Sequence, residues 1–305
     1  ICKKKSILLN LKLNNFLSLF YTTMAAPKLT KDEINNLVQE NLEFEASGEI
    51  EIPKIYHTKA KNTSWIHSID AYPENNKDHS IVNMVIEIPK GTKRKMEMSV
   101  DEPLNPIVQD VKNGDLRVVP AATPDKVTPD TKLKDLDNSE DETKLFRHIF
   151  EGPDNKDEYT GYNLFSYGAI PQTFESDYEA NKTSITESGN EYPGDGDPLD
   201  ICLLDDPAPE LRKIGEIVEV RIIGVFPMID EGDDNQLEID WKVIAVPKHS
   251  TKTLDALTDE VEKARLWFKY YKVKENKKNG INEKVIDIRK PLDENEAKKI
   301  VEKYH

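Results

Sequence analysis

The sequence is short of cysteine, of positive charge and of long apolar stretches. Its 305 residues include two cysteines, Cys2 and Cys202. Two thiols make neither a disulfide framework nor a zinc site, so the chain reads as a protein of a reducing, intracellular compartment. Cys202 lies in the run Leu199–Leu204 and is expected to be a small buried hydrophobe. No stretch reaches the ~18 apolar residues of a membrane span, so no membrane partner is expected. Lys and Arg number 42 against 57 Asp and Glu, a net charge of −15. A chain this acidic is a poor general binder of nucleic-acid backbones. Neither a Gly-x-Ser-x-Gly elbow nor a P-loop occurs, so no covalent nucleophile is in view. Hydrophobic residues still make up 37% of the chain, enough for a core rather than wholesale disorder.

The N-terminal tract Ile7–Phe20 follows Lys3-Lys4-Lys5 and has the composition of a targeting peptide. The first methionine is Met24, and residues 1–23 are expected to be translated upstream sequence. We therefore divide the chain into an extension, 1–29, and one domain, 30–305. Thr30 to Phe44 reads as a helix, with Thr30 and Glu33 in a capping-box pattern. Strand patterns follow at Ile81–Ile88, Lys95–Val100, Ile107–Val111 and Leu116–Val119, the last two flanking the turn signal Asn113-Gly114. Residues 120–160 carry prolines and the acidic run Glu140-Asp141-Glu142 without strand alternation, and are expected to be a surface excursion. Strands resume at Leu199–Leu204, Ile217–Phe226 and Trp241–Val246, and helices are expected over 254–271 and 293–304. Short strands followed by late helices predict a mainly β fold, a barrel core with peripheral helices.

The segment Gly194-Asp195-Gly196-Asp197-Pro198-Leu199-Asp200 crowds three carboxylates into a tight turn. Their repulsion must be offset, and hard divalent cations that prefer carboxylate oxygen do so. A calcium EF-hand is excluded, because Asp200 stands where its glycine is required and Asp206 where its glutamate is required. A second acidic group is Asp230-Glu231-Gly232-Asp233-Asp234, followed by Asp240-Trp241-Lys242 at the head of a strand. Asp240 and Lys242 should share one strand face, with Trp241 on the other. Lys95 and Glu97 alternate in the same way, just after Glu87.

Together these segments resemble the soluble inorganic pyrophosphatase family in its longer eukaryotic form. The resemblance runs from about Asn62 to Lys272. Its strongest motif is Asp195-Gly-Asp-Pro-Leu-Asp200, supported by Asn83–Pro89, Leu104–Asp110, Tyr167–Thr173, Asp230–Gly232, Asp240–Ala245 and Trp267–Lys272. It implies a closed five-stranded barrel of OB-like shape that hydrolyses pyrophosphate with several Mg²⁺ ions and a metal-activated water. Carried over, Asp195, Asp200 and Asp240 would hold metals, and Asp197 would be the general base. Asp230, Glu97 and Glu87 would serve substrate-borne metals. Lys95, Arg117, Tyr167, Lys242, Tyr271 and Lys272 would grip the phosphates. A cytoplasmic homodimer is also implied, with organelle import if residues 1–23 are genuine.

Seven of these groups are carboxylates and four are cationic, an excess of three negative charges. Pyrophosphate adds up to about four, so roughly three to four Mg²⁺ ions bring the assembly near neutrality. The chain departs from the family pattern in its longer stretch between Arg117 and Tyr167 and in the extra residues Asn235–Ile239. Two rival readings are a degenerate homologue that only binds and a phosphohydrolase acting on another phosphoanhydride.

Overall fold

β-branched apolar runs build the frame. The computed structural model describes residues 54–55, 63–74, 76, 78–92, 94–112, 115–117, 164–177, 183–184, 191–232, 236–278 and 287–305, with the backbone alone at 54–55, 112, 115–116, 183–184 and 270–278. The expected helix at 30–44, the turn Asn113-Gly114 and the excursion at 120–160 lie outside the described residues. The strands before the long gap are β1 (Lys54–Ile55), β2 (Ile81–Ile88), β3 (Met96–Met98), β4 (Ile107–Gln109), β5 (Val111–Lys112) and β6 (Asp115–Leu116). After it come β7 (Ser166–Ala169), β8 (Thr183–Ser184), β9 (Glu191–Tyr192), β10 (Asp200–Leu203), β11 (Ile217–Phe226), β12 (Met228–Glu231), β13 (Leu237–Ile239) and β14 (Lys242–Pro247). Helix α1 (Thr258–Lys278), β15 (Asp287–Ile288), β16 (Leu292–Asp293) and helix α2 (Glu294–Tyr304) complete the order.

Five strands close on themselves. β2 pairs antiparallel with β7, β7 antiparallel with β10, and β10 parallel with β14. β14 pairs antiparallel with β11, and β11 antiparallel with β2, which completes the ring. β11 is ten residues long and serves both neighbours. Its register against β14 shifts between Ile222 and Gly224, an irregularity of the kind that bends a strand around a barrel. Where β7 crosses β2 the backbones come so close that a Cβ on Gly168 would lie 1.9 Å from the Val85 carbonyl oxygen.

Barrel strands buried on both faces read as unbroken apolar runs. Ile201 and Leu203 of β10 join Val243 and Ala245 of β14 in one cluster, which Ala297, Val301 and Tyr304 of α2 cover. Cys202 faces the opposite cluster with Ile244 and Val246, under Val261, Ala264, Trp267 and Phe268 of α1. Fully burying a large apolar side chain contributes about 1.5–3 kcal/mol, so each helix fastens one of the two apolar faces of these strands. The expected helix at 254–271 starts at Thr258, after the 3₁₀ turn Asp255–Leu257. α2 begins where Asp293 caps it, its carboxylate accepting from Asn295 N at 2.9 Å and Glu296 N at 3.0 Å.

Two elements differ from the sequence expectation. β7 is only four residues, Ser-Tyr-Gly-Ala, too short and too small to announce itself by alternation. The acidic stretch after Pro227 is a ribbon: β12 pairs antiparallel with β13, with Asp230 opposite Glu238. Residues 237–239, which read as extra against the family pattern, are β13 itself.

Candidate active site

The site lies where β2, β7, β10 and β14 converge with the turn ahead of β10. Parallel pairing sets Asp200, the first residue of β10, beside Lys242, the first of β14. Lys242 is buried, and its ammonium donates to the carboxylates of both Asp200 and Asp240. It also donates to the Tyr167 hydroxyl at 3.1 Å and lies 5.7 Å from the centre of that ring. Asp240 and Lys242 thus share a face, while Trp241 packs into the core. Burial works against the Lys242 ammonium, but Asp200 and Asp240 overcome it and hold its pKa well above the usual lysine range. Tyr167 is pushed well up by burial and by the charge of Asp200.

The turn itself depends on one glycine. Gly196 has φ +85°, in the left-handed region, which lets the chain reverse between Asp195 and Asp197. The Asp195 carboxylate accepts from Asp197 N at 3.0 Å. Burial, then the charges of Asp240 and Asp197, push Asp195 well above the carboxylate range. Asp197 stands exposed at the tip of the turn; partial screening of its carboxyl from water by the surrounding site, then the charges of Asp200 and Glu97, raise its pKa to about 7. Asp240 is pushed up to about 6 by burial, which Lys242 opposes and Asp200 reinforces. Asp230 is buried on β12, and its carboxylate accepts from Glu231 N at 2.7 Å.

A second wall carries the other cations. Lys95 Nζ donates to Glu97 at 2.5 Å and to Asp110 at 2.6 Å, and Arg117 Nη1 donates to Asp110 at 2.5 Å. Burial opposes the Asp110 charge, but Lys95 and Arg117 hold its pKa below the usual carboxylate value. Glu87 of β2 is buried at the junction of the walls and accepts from Met98 N at 2.7 Å. Burial, then the charge of Asp200, hold its pKa well above the carboxylate range. The site thus gathers Glu87, Lys95, Glu97, Arg117, Tyr167, Asp195, Asp197, Asp200, Asp230, Asp240 and Lys242. Tyr271 and Lys272 fall on α1, where their side chains lie outside the described residues.

Sequence reasoning missed two members. Asp110 orients both Lys95 and Arg117, and only the fold reveals these partners. Glu175 is fully buried, and one oxygen each of Glu175, Asp195 and Asp240 lie within 4.8 Å of one another. Glu175 opens the acidic spacing Glu175-Ser-Asp-Tyr-Glu179, a signal that could have marked the segment.

A profile described as inorganic pyrophosphatase matches residues 84–305. The chain belongs to the inorganic pyrophosphatase family. It is 32% identical over 214 residues to the mitochondrial inorganic pyrophosphatase 2 of Mus musculus, covering 67% of this chain and 49% of that protein. It is 30% identical over 234 residues to the inorganic pyrophosphatase of Candida albicans, covering 73% of this chain and 64% of that one. It therefore spans between about half and two thirds of the length of these relatives. Among solved structures, type I inorganic pyrophosphatase from Toxoplasma gondii matches with a TM-score of 0.57 at 24% identity, covering 86% of this chain and 94% of that one. Inorganic pyrophosphatase from Schistosoma japonicum matches with a TM-score of 0.55 at 25% identity, covering 86% and 73%. The closed barrel is thus the fold of these enzymes. Among the described residues, no helix is long and apolar enough to cross a membrane.

Proposed function

We propose that the chain hydrolyses inorganic pyrophosphate to two orthophosphates with the aid of several Mg²⁺ ions. The observation that carries the reading is one bowl with two kinds of wall. Carboxylates Asp195, Asp200 and Asp240 crowd one side, and Lys95 and Arg117 stand on the other. The donor set fits a hard divalent cation: it is all oxygen, its carboxylates outnumber its cations, and their raised pKa values reflect burial first and mutual repulsion second. When bound, such ions lower the pKa of water and neutralise phosphoryl charge.

In this reading Asp195, Asp200 and Asp240 hold the ions beside the water, and Asp230, Glu97 and Glu87 hold those that arrive with substrate. Asp197, with a pKa near neutrality, takes the proton from the attacking water. Lys242 and Tyr167 bind phosphoryl oxygens from the floor of the bowl, and Lys95 and Arg117 bind them from the far wall. Asp110 keeps the last two extended towards substrate. Tyr271 and Lys272 add their grip from α1. Residues 30–305 act as one domain, which the pairing of β2 with β7, strands from either side of residues 120–160, supports. The buried free Cys202 agrees with a reducing, cytoplasmic compartment, where the chain would act as a homodimer.

The test is a turnover panel of pyrophosphate, ATP and p-nitrophenyl phosphate, each with Mg²⁺ and with excess EDTA. Turnover should be confined to pyrophosphate and should vanish in EDTA. Undiminished turnover in EDTA, or preference for ATP, would refute the proposal.

A further inference from the structure

We propose that Glu175 is a further ligand of the cation held between Asp195 and Asp240, a deepening that rests on the metal-dependent reading above. Its backbone is tied to the acidic turn. Glu175 N donates to the Asp197 carbonyl and Gly196 N donates to the Glu175 carbonyl, both at 2.8 Å. Its side chain enters the bowl. Oε1 accepts from Trp241 N at 3.2 Å, between Asp240 and Lys242 in sequence. Oε2 is buried and has no hydrogen-bond partner among the described residues.

A buried carboxylate oxygen without a donor is costly and rare. The ammonium of Lys242 is already shared by Asp200, Asp240 and Tyr167. A glutamine at this position would still accept from Trp241 N. It would also offer an amide N–H to Asp195 or Asp240 and remove one repelling charge. Among the described residues a glutamine would meet these contacts at least as well, whereas a charged glutamate among Asp195 and Asp240 calls for a cation. The geometry is suited to one. At metal–oxygen distances of about 2.1 Å, adjacent ligands of a Mg²⁺ ion are about 3 Å apart and opposite ones about 4.2 Å, so three donors within 4.8 Å of one another need close by no more than about 2 Å.

Calorimetric titration of the full chain with Mn²⁺, together with melting in EDTA and in Mg²⁺, tests this on Glu175→Gln. Loss of the ligand should weaken the tightest Mn²⁺ site by about 10- to 100-fold. It should also shrink the rise in Tm that Mg²⁺ produces. In EDTA the variant should melt at or above the wild-type temperature, because a repulsion has been removed. Unaltered Mn²⁺ affinity would overturn the proposal. So would a fall in Tm in EDTA as large as that in Mg²⁺, which would make Glu175 a structural support. A wild type that binds Mn²⁺ without hydrolysing pyrophosphate would sink the functional reading and leave this one standing. A wild type that hydrolyses pyrophosphate, with Glu175→Gln binding Mn²⁺ as tightly, would sink this one alone.

Discussion

Lys242→Met is the substitution whose outcome depends most sharply on whether cations fill the bowl. The lysine side chain is 4% exposed and neutralises two carboxylates at once, Asp200 and Asp240. Methionine keeps the length of the stem against the Tyr167 and Phe268 rings but removes the charge. Deleting one partner of a buried ion pair costs about 3–5 kcal/mol, because the remaining charge is left uncompensated. For a domain of this size each kcal/mol moves Tm by about 2–4 °C. In EDTA at pH 8 the variant should therefore melt about 6–20 °C below wild type. The loss should be smaller at pH 5, where Asp240, already raised to about 6, can take a proton. Mg²⁺ should restore most of the lost Tm, since a divalent ion supplies the missing charge. Turnover should stay low even so, because the phosphate donor is gone. Calorimetric melts at both pH values, with and without Mg²⁺, decide the matter. An equal deficit in EDTA and in Mg²⁺, or none in EDTA, would refute this view of Lys242 as the resident counter-ion.

Three further outcomes follow from the same geometry. Asp197→Asn should lower turnover by ~10²–10⁴ while leaving Mn²⁺ affinity close to wild type. A carboxylate of pKa about 7 is a base only above that pH, and bound cations pull the value down. The wild-type rate should thus climb with pH at or below about 7, and the variant should lose that limb. Loss of Mn²⁺ as severe as in Asp200→Asn would make Asp197 simply another ligand. In EDTA, stability should fall as pH rises from about 4 to about 7. The folded chain there holds protons on Asp197 and Asp240 that the unfolded chain has released, so raising pH favours unfolding. The Tm in EDTA should be higher at pH 5 than at pH 8, with the gap narrowing in Mg²⁺; a Tm that rises with pH in EDTA would contradict this. Gly168→Ala should cost about 3 kcal/mol, the upper end for overpacking, because its Cβ would meet the Val85 carbonyl oxygen at 1.9 Å and force β2 and β7 apart. A melt indistinguishable from wild type would show that the crossing has slack.

Much of the frame was legible because it is written in local pattern. Ile217–Phe226 reads as a strand and is one, residue for residue. The turn Asp195–Asp200 stood out as part of a site because three carboxylates so close must repel. The pair Asp240 and Lys242 declared a common face, because alternation along a strand is a property of the chain itself. Other features depend on residues far apart. Glu175 accepts from Trp241 N, 66 positions away, and nothing near it in sequence hints at that. Lys242 meets Asp200, 42 positions away, only because β10 and β14 pair in parallel with that register. Asp110 draws its role from Lys95 and Arg117 on neighbouring segments. Spacing along the chain determines which way a side chain points from its own strand. Which charges then face one another depends on strand order and register, and barrel closure alone supplied those.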